Sequence, residues 1–121
     1  MTTRSAVLAF TADVLCVLLF VAVGRRNHAE GVTVAGIAET AWPFLAGIAA
    51  GWLLSRGWRQ PAALKPTGLI VWISTVVVGM LLRVITGAGI AVSFIVVATL
   101  VTGALLLGWR AVRAGAARRS N

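Results

Sequence analysis

IAVSFIVVATLVTGALLLGW, residues 90–109, carries no charged side chain from Ile90 to Trp109. An α-helix needs about 20 mostly apolar residues to cross the hydrocarbon of a bilayer, and this run supplies them. Three more runs read the same way. Residues 5–24 are broken only by Asp13, residues 33–54 carry Glu39 and Pro43, and residues 67–87 carry Arg83. Inside lipid no water is present to satisfy an open backbone, so each run should be a helix. The expected fold is an all-α membrane protein. It has a single transmembrane domain over residues 1–121, four transmembrane helices arranged as two hairpins, and both termini in the cytoplasm.

Composition supports lipid as the solvent. Of the 121 residues 60% are hydrophobic and 12% charged, whereas a soluble domain has about 25% charged residues. The net charge of +8 would suggest nucleic acid in a soluble chain. Here the basic residues lie between and beyond the apolar runs, with no basic face or aromatic platform for a strand, so no nucleic-acid partner is expected. Of the basic residues only Lys65 is lysine, and Ala, Gly and Val abound, a bias that fits a GC-rich bacterial genome. The expected location is therefore the bacterial inner (plasma) membrane, as a multi-pass protein.

The first run is longer than the about 7–15 residues of a signal-peptide core, and only Arg4 precedes it. It therefore reads as a retained span. The single cysteine, Cys16, has no partner for a disulfide and reads as a small buried hydrophobe.

Orientation follows from counting arginine and lysine. Arg4, Arg56, Arg59, Lys65, Arg110, Arg113, Arg118 and Arg119 fall on one side of a four-span chain, and Arg25, Arg26 and Arg83 on the other. The positive-inside rule puts the larger set in the cytoplasm. Trp58 and Trp109 then belong at the inner interface. The segments Gly57-Trp58-Arg59 and Gly108-Trp109-Arg110 resemble each other. That resemblance reads better as two helix ends under one interfacial constraint than as a tandem repeat.

Charges inside a membrane are costly and are usually paired or functional. At about 1.5 Å per residue from the outer ends, Arg83 lies about 6 Å deep, Glu39 about 9 Å and Asp13 about 16 Å. Glu39 and Arg83 thus share a level and are expected to pair, with Asp13 as the alternative partner of Arg83. Asp13 is expected alone near the midplane. There it either bonds Thr75 or a backbone carbonyl, or titrates in a transport path. Glu39, Pro43, Ala46, Gly47, Ala50 and Leu54 form a stripe at three- and four-residue spacing. The small residues Gly47 and Gly51, with Pro43 on the same helix and Gly79 on the third, are read as helix-packing positions, within the chain or at a dimer face. The loop Gly24-Arg25-Arg26-Asn27-His28-Ala29-Glu30-Gly31 is the densest polar segment. Arg25, Arg26 and His28 there suit an anion, and with Asp13, Glu39 and Arg83 they make up the candidate polar site. No catalytic nucleophile–base set, metal-ligand cluster or nucleotide motif is present, so neither an enzyme nor a cofactor or metal is expected.

The polar loop, followed by Glu39-Thr40-Ala41-Trp42-Pro43-Phe44, Gly79-Met80-Leu81-Leu82-Arg83 and Ser93-Phe94, resembles the prokaryotic membrane family catalogued as domain of unknown function 3054. The resemblance spans nearly the whole chain. It implies a four-helix membrane fold and a grouping of Asp13, Arg25, His28, Glu39, Pro43 and Arg83. No activity comes with it. Small multidrug exporters share a first-helix carboxylate but not the aromatic cage, and fluoride channels of this size lack such a charge bias.

The expected function is a small transporter or channel with a polar site near the extracytoplasmic side and an unknown solute or ion. Four helices enclose little volume, so a homo-oligomer is expected. The alternative is a non-transporting protein that assembles or stabilises another membrane complex.

Overall fold

The computed structural model describes residues 3–26 and 32–120. Among these, all regular structure is helical: α1 (Thr3–Arg26), α2 (Val34–Ser55), α3 (Leu69–Ile85) and α4 (Val92–Ser120), with a π-helical turn Leu64–Gly68 leading into α3. All four helices, α3 taken together with its π turn, are long and apolar enough to cross a membrane. Large apolar side chains such as Leu15, Leu54, Ile85 and Leu100 are exposed. That arrangement suits lipid, where outward-facing leucine costs nothing.

The ends of the helices follow local chemistry. Thr33 caps α2, its hydroxyl accepting from the Gly36 amide at 3.0 Å, which satisfies one of the orphan donors of the first turn. At the other end Arg56 adopts a left-handed conformation (φ 51°). The amide of Gly57 then returns to the Trp52 carbonyl at 2.9 Å. A Cβ on Gly57 would sit 2.7 Å from the Trp52 ring, so the turn is folded tightly against that indole. Pro43 is buried inside α2 and removes the amide that would otherwise bond the Glu39 carbonyl.

Each helix touches its neighbours in sequence, and α4 also touches α1. Among the described residues the diagonal pairs α1–α3 and α2–α4 bring no Cα atoms within 8 Å of each other. The closest pair is α2 with α3. A Cβ on Gly47 would lie 2.6 Å from Thr75 Cα, and one on Gly51 2.7 Å from Val71 Cα. Glycine at these positions lets the two backbones approach, as small-residue spacing does in membranes. A Cβ on Gly79 would collide with the Phe44 ring. Gly47, Gly51 and Gly79 therefore pack helices within the chain.

The fourth helix departs from the sequence reading. It does not stop at Trp109 but continues for 29 residues in all, about 43 Å. Arg110 is consequently not part of a tail. It is fully buried, the largest such side chain among the described residues.

Candidate functional site

Two polar centres occupy opposite ends of the bundle. The first is built on Asp13, which is completely buried and is not alone. Arg110, 97 positions away, forks onto it, with Nη1 donating to Oδ1 at 2.9 Å and Nη2 to Oδ2 at 2.7 Å. The Trp52 indole donates to Oδ2 and the Trp109 indole to Oδ1, both at 2.9 Å. The carboxylate thus accepts four hydrogen bonds, which fills its about four lone-pair sites. Two further Arg110 donors go to the backbone, Nε to the Pro61 carbonyl at 3.1 Å and Nη1 to the Leu106 carbonyl at 3.1 Å. Gly68 leaves room for its stem, since a Cβ there would meet Arg110 Cδ at 3.0 Å. The centre ties α1, α2, α4 and the loop after α2 into one closed plug.

Helical side chains lean toward their own amino termini. On the antiparallel pair α1 and α4, Asp13 and Arg110 therefore lean toward each other. Each lies ten residues from its helix terminus at that end, Thr3 and Ser120. Depth counted from the outer ends sets Asp13 apart from every basic residue, and an apolar run that stops at Trp109 leaves Arg110 outside the span; the pairing emerges only because α4 continues past Trp109. The Thr75 hydroxyl, the other expected partner, instead donates to the Val71 carbonyl at 2.6 Å. Trp109 is a half-buried donor to that carboxylate, while Trp58 and Arg59 lie exposed in the turn after α2. The two Gly-Trp-Arg segments therefore have different environments.

The second centre is a cleft of about 540 Å³ at the opposite end, lined by Arg25, Thr40, Arg83, Ser93, Phe20 and Phe94 among others. Arg25, in the last turn of α1, donates from Nη1 to the Thr40 hydroxyl at 3.1 Å. A Cβ on Gly36 would collide with its guanidinium, so that glycine provides the space in which Arg25 crosses to α2. Arg83 stands two residues before the end of α3. Gly87 and Gly89, with φ of 78° and 77°, turn the following chain back over it. Its Nε then donates to the Gly89 carbonyl and its Nη2 to Ala88, both at 3.0 Å. The guanidinium lies 4.4 Å from the centre of the Phe94 ring, a cation–π distance.

Glu39 and Arg83 do not pair. Among the described residues the recorded ion pair is Asp13–Arg110, and Glu39 is exposed. A four-residue step on a helix overshoots one turn by about 40°, so Glu39 stands about 80° away from Gly47 and off the packed face. Nor does Arg83 reach Asp13, because nearer carbonyls in the turn after α3 take its donors. Arg26 is exposed in the last turn of α1. His28 lies outside the described residues. The grouping expected from sequence therefore splits: Arg25 and Arg83 share the cleft, and Asp13 belongs to the plug.

Between the two centres stand Phe20, Phe44 and Phe94, with ring centres 5.6 Å (Phe20–Phe44), 6.3 Å (Phe20–Phe94) and 6.2 Å (Phe44–Phe94) apart. Below them Val17, Ile48, Thr75, Ala98 and Thr102 are buried. The buried hydroxyls of Thr75 and Thr102 both return to carbonyls one turn back in their own helices.

A four-helix apolar bundle with a basic cleft at one end and a buried ion pair at the other defines a small multi-pass membrane protein. The chain belongs to the family described as "Protein of unknown function (DUF3054)", whose model matches residues 10–113. No curated protein and no solved structure matches it.

Proposed function

We propose that this protein is a small solute carrier of the bacterial inner membrane, with the Arg25–Arg83 cleft facing the extracytoplasmic side. The observation that supports it best is the asymmetry of the bundle. One end holds a cleft of about 540 Å³, within the about 300–1,000 Å³ of small-molecule sites. The other end is shut by a plug in which Asp13 and Arg110 are fully buried and the carboxylate accepts four hydrogen bonds. That is the shape of a carrier caught open to one side. In this reading the helices form two hairpins with both termini in the cytoplasm. Arg110 is neutralised by Asp13, yet seven of the eight basic residues assigned to that side still face the three opposite them. The charge bias therefore survives the correction. The protein is not an enzyme in this reading, and subunits of a homo-oligomer would complete the path that four helices cannot enclose.

The test is uptake by reconstituted proteoliposomes of a panel of labelled anionic, neutral and cationic solutes. Carriage of any of them above protein-free vesicles supports the proposal. A second reading, an assembly partner, draws on the last ten residues of α4, which continue past Arg110 with exposed side chains from Ala111 to Arg119. No uptake, together with a stoichiometric second membrane protein on purification, would favour it.

A further inference from the structure

We infer that the plugged end of the bundle is a docking surface for acidic phospholipid headgroups in the leaflet beside it. The inference goes beyond the carrier reading and stands whether or not a solute is carried. Its first support is charge. Arg56, Arg59 and Lys65 follow α2, and Arg113, Arg118 and Arg119 lie on α4 beyond the plug; all are exposed. Arg4, exposed near the start of α1, adds another cation at the same end. The sequence holds 3 acidic side chains, Asp13, Glu30 and Glu39. Asp13 is fully buried and bound to Arg110. Glu30 falls in sequence between the end of α1 and the start of α2, and Glu39 in the second turn of α2, both toward the cleft end. No carboxylate side chain is therefore left to answer the cations around the plug.

The second support is packing. The Arg110 Nε bond to the Pro61 carbonyl, 3.1 Å, holds the loop after α2 against α4. Arg113 follows three residues on, about 4.5 Å of helix rise. The loop cations and the first α4 cation thus belong to one surface.

The third support selects lipid over a soluble polyanion. Leu54 precedes Arg56 by two positions, and Trp58, Leu64 and Val112 directly precede Arg59, Lys65 and Arg113. These four apolar side chains are all exposed, at 73%, 47%, 37% and 74%. An acidic peptide or a nucleic acid would meet the charge and leave the apolar groups in water. The boundary layer of a bilayer meets both, with phosphates for the cations and an interface in which indoles and aliphatic chains are at home. A zwitterionic headgroup brings a cation of its own, so the surface favours a lipid of net negative charge.

The test reads lipid composition next to the surface. In a Cys16→Ala background, Gln60→Cys, exposed beside Arg59, is labelled with bimane and the protein is reconstituted in phosphatidylcholine vesicles. Quenching by phosphatidylglycerol carrying a nitroxide high on its chain is compared with quenching by phosphatidylcholine labelled in the same way. At low salt phosphatidylglycerol should associate about fivefold more tightly near position 60, the worth of one basic residue at a membrane surface. The preference should vanish in 1 M NaCl, where the Debye length is about 3 Å. Arg59→Gln with Lys65→Gln should lower it, and so should Arg113→Gln. A label at Val34→Cys, exposed at the cleft end, should show a smaller preference. The comparison of positions 60 and 34 stands even where a charge variant fails to fold. Equal quenching by the two lipids at low salt would overturn the inference, as would a preference that survives 1 M NaCl or is as large at position 34. Equal quenching together with a response of the same label to polyglutamate would overturn it in favour of an acidic peptide.

Discussion

Asp13 and Arg110 together remove two charges from lipid at one place. A buried ion pair is not in itself a strong stabiliser, because desolvation offsets much of the Coulomb attraction. What matters is the consequence of breaking it. Asp13→Asn leaves Arg110 charged and buried, and Arg110→Gln leaves the carboxylate with two indoles and no cation. Each single variant should lose about 3–5 kcal/mol, while Asp13→Asn with Arg110→Gln should be more stable than the worse single. Chemical or thermal unfolding in detergent measures this, and strictly additive losses would show that the two groups act independently. Trp52→Phe tests the indole contribution more gently. It deletes one hydrogen bond to a charged acceptor and should cost about 1.5–3 kcal/mol. Asp13 is thus not alone, as the sequence reading expects, but clasped by Arg110 and two indoles. That pair was not legible because its partners sit at opposite ends of the chain and because the first charge after an apolar run looks like its boundary. The cleft arginines were legible: Arg25 and Arg83 stand out as charges at the same end of the first and third spans.

Among the helices the most demanding contact is α2 against α3. Gly47→Ala would place a methyl group 2.6 Å from Thr75 Cα, and a backbone cannot move aside as a side-chain tip can. The two helices would have to separate, at a cost of about 1–3 kcal/mol. Gly108→Ala on α4 is the matched control, since a Cβ there meets nothing within 4 Å. It should be neutral or slightly stabilising, as replacing a mid-helix glycine usually is. Melting temperatures of the two variants in one detergent check both expectations, and equal losses would contradict the packing described. The spans themselves were readable from apolar runs, because lipid leaves the backbone no alternative to helix. The i, i+4 glycines were readable for the same reason. The facing of Glu39 was not, since a stripe drawn by spacing alone ignores the drift of about 40° per four residues. The end of α4 was not readable either. Ala-rich sequence with scattered arginines continues a helix as readily as it ends a span.

The bundle as a whole has a cleft at one end and a buried ion pair closing the other. The topology has its own check. In a Cys16→Ala background, Ala63→Cys in the loop after α2 should be protected from an impermeant thiol reagent in intact cells and labelled after permeabilisation. Labelling in intact cells would reverse the orientation. The most direct test of the open-and-sealed architecture compares two positions on α4 in that same background: Ser93→Cys, bordering the cleft, and Thr102→Cys, buried beyond the phenylalanine layer. The thiol at position 93 should react with a small charged methanethiosulfonate reagent from the extracytoplasmic side only. The thiol at position 102 should stay unreactive from both sides. Reaction at 102 as fast as at 93, or reaction at 102 from the cytoplasmic side, would contradict it.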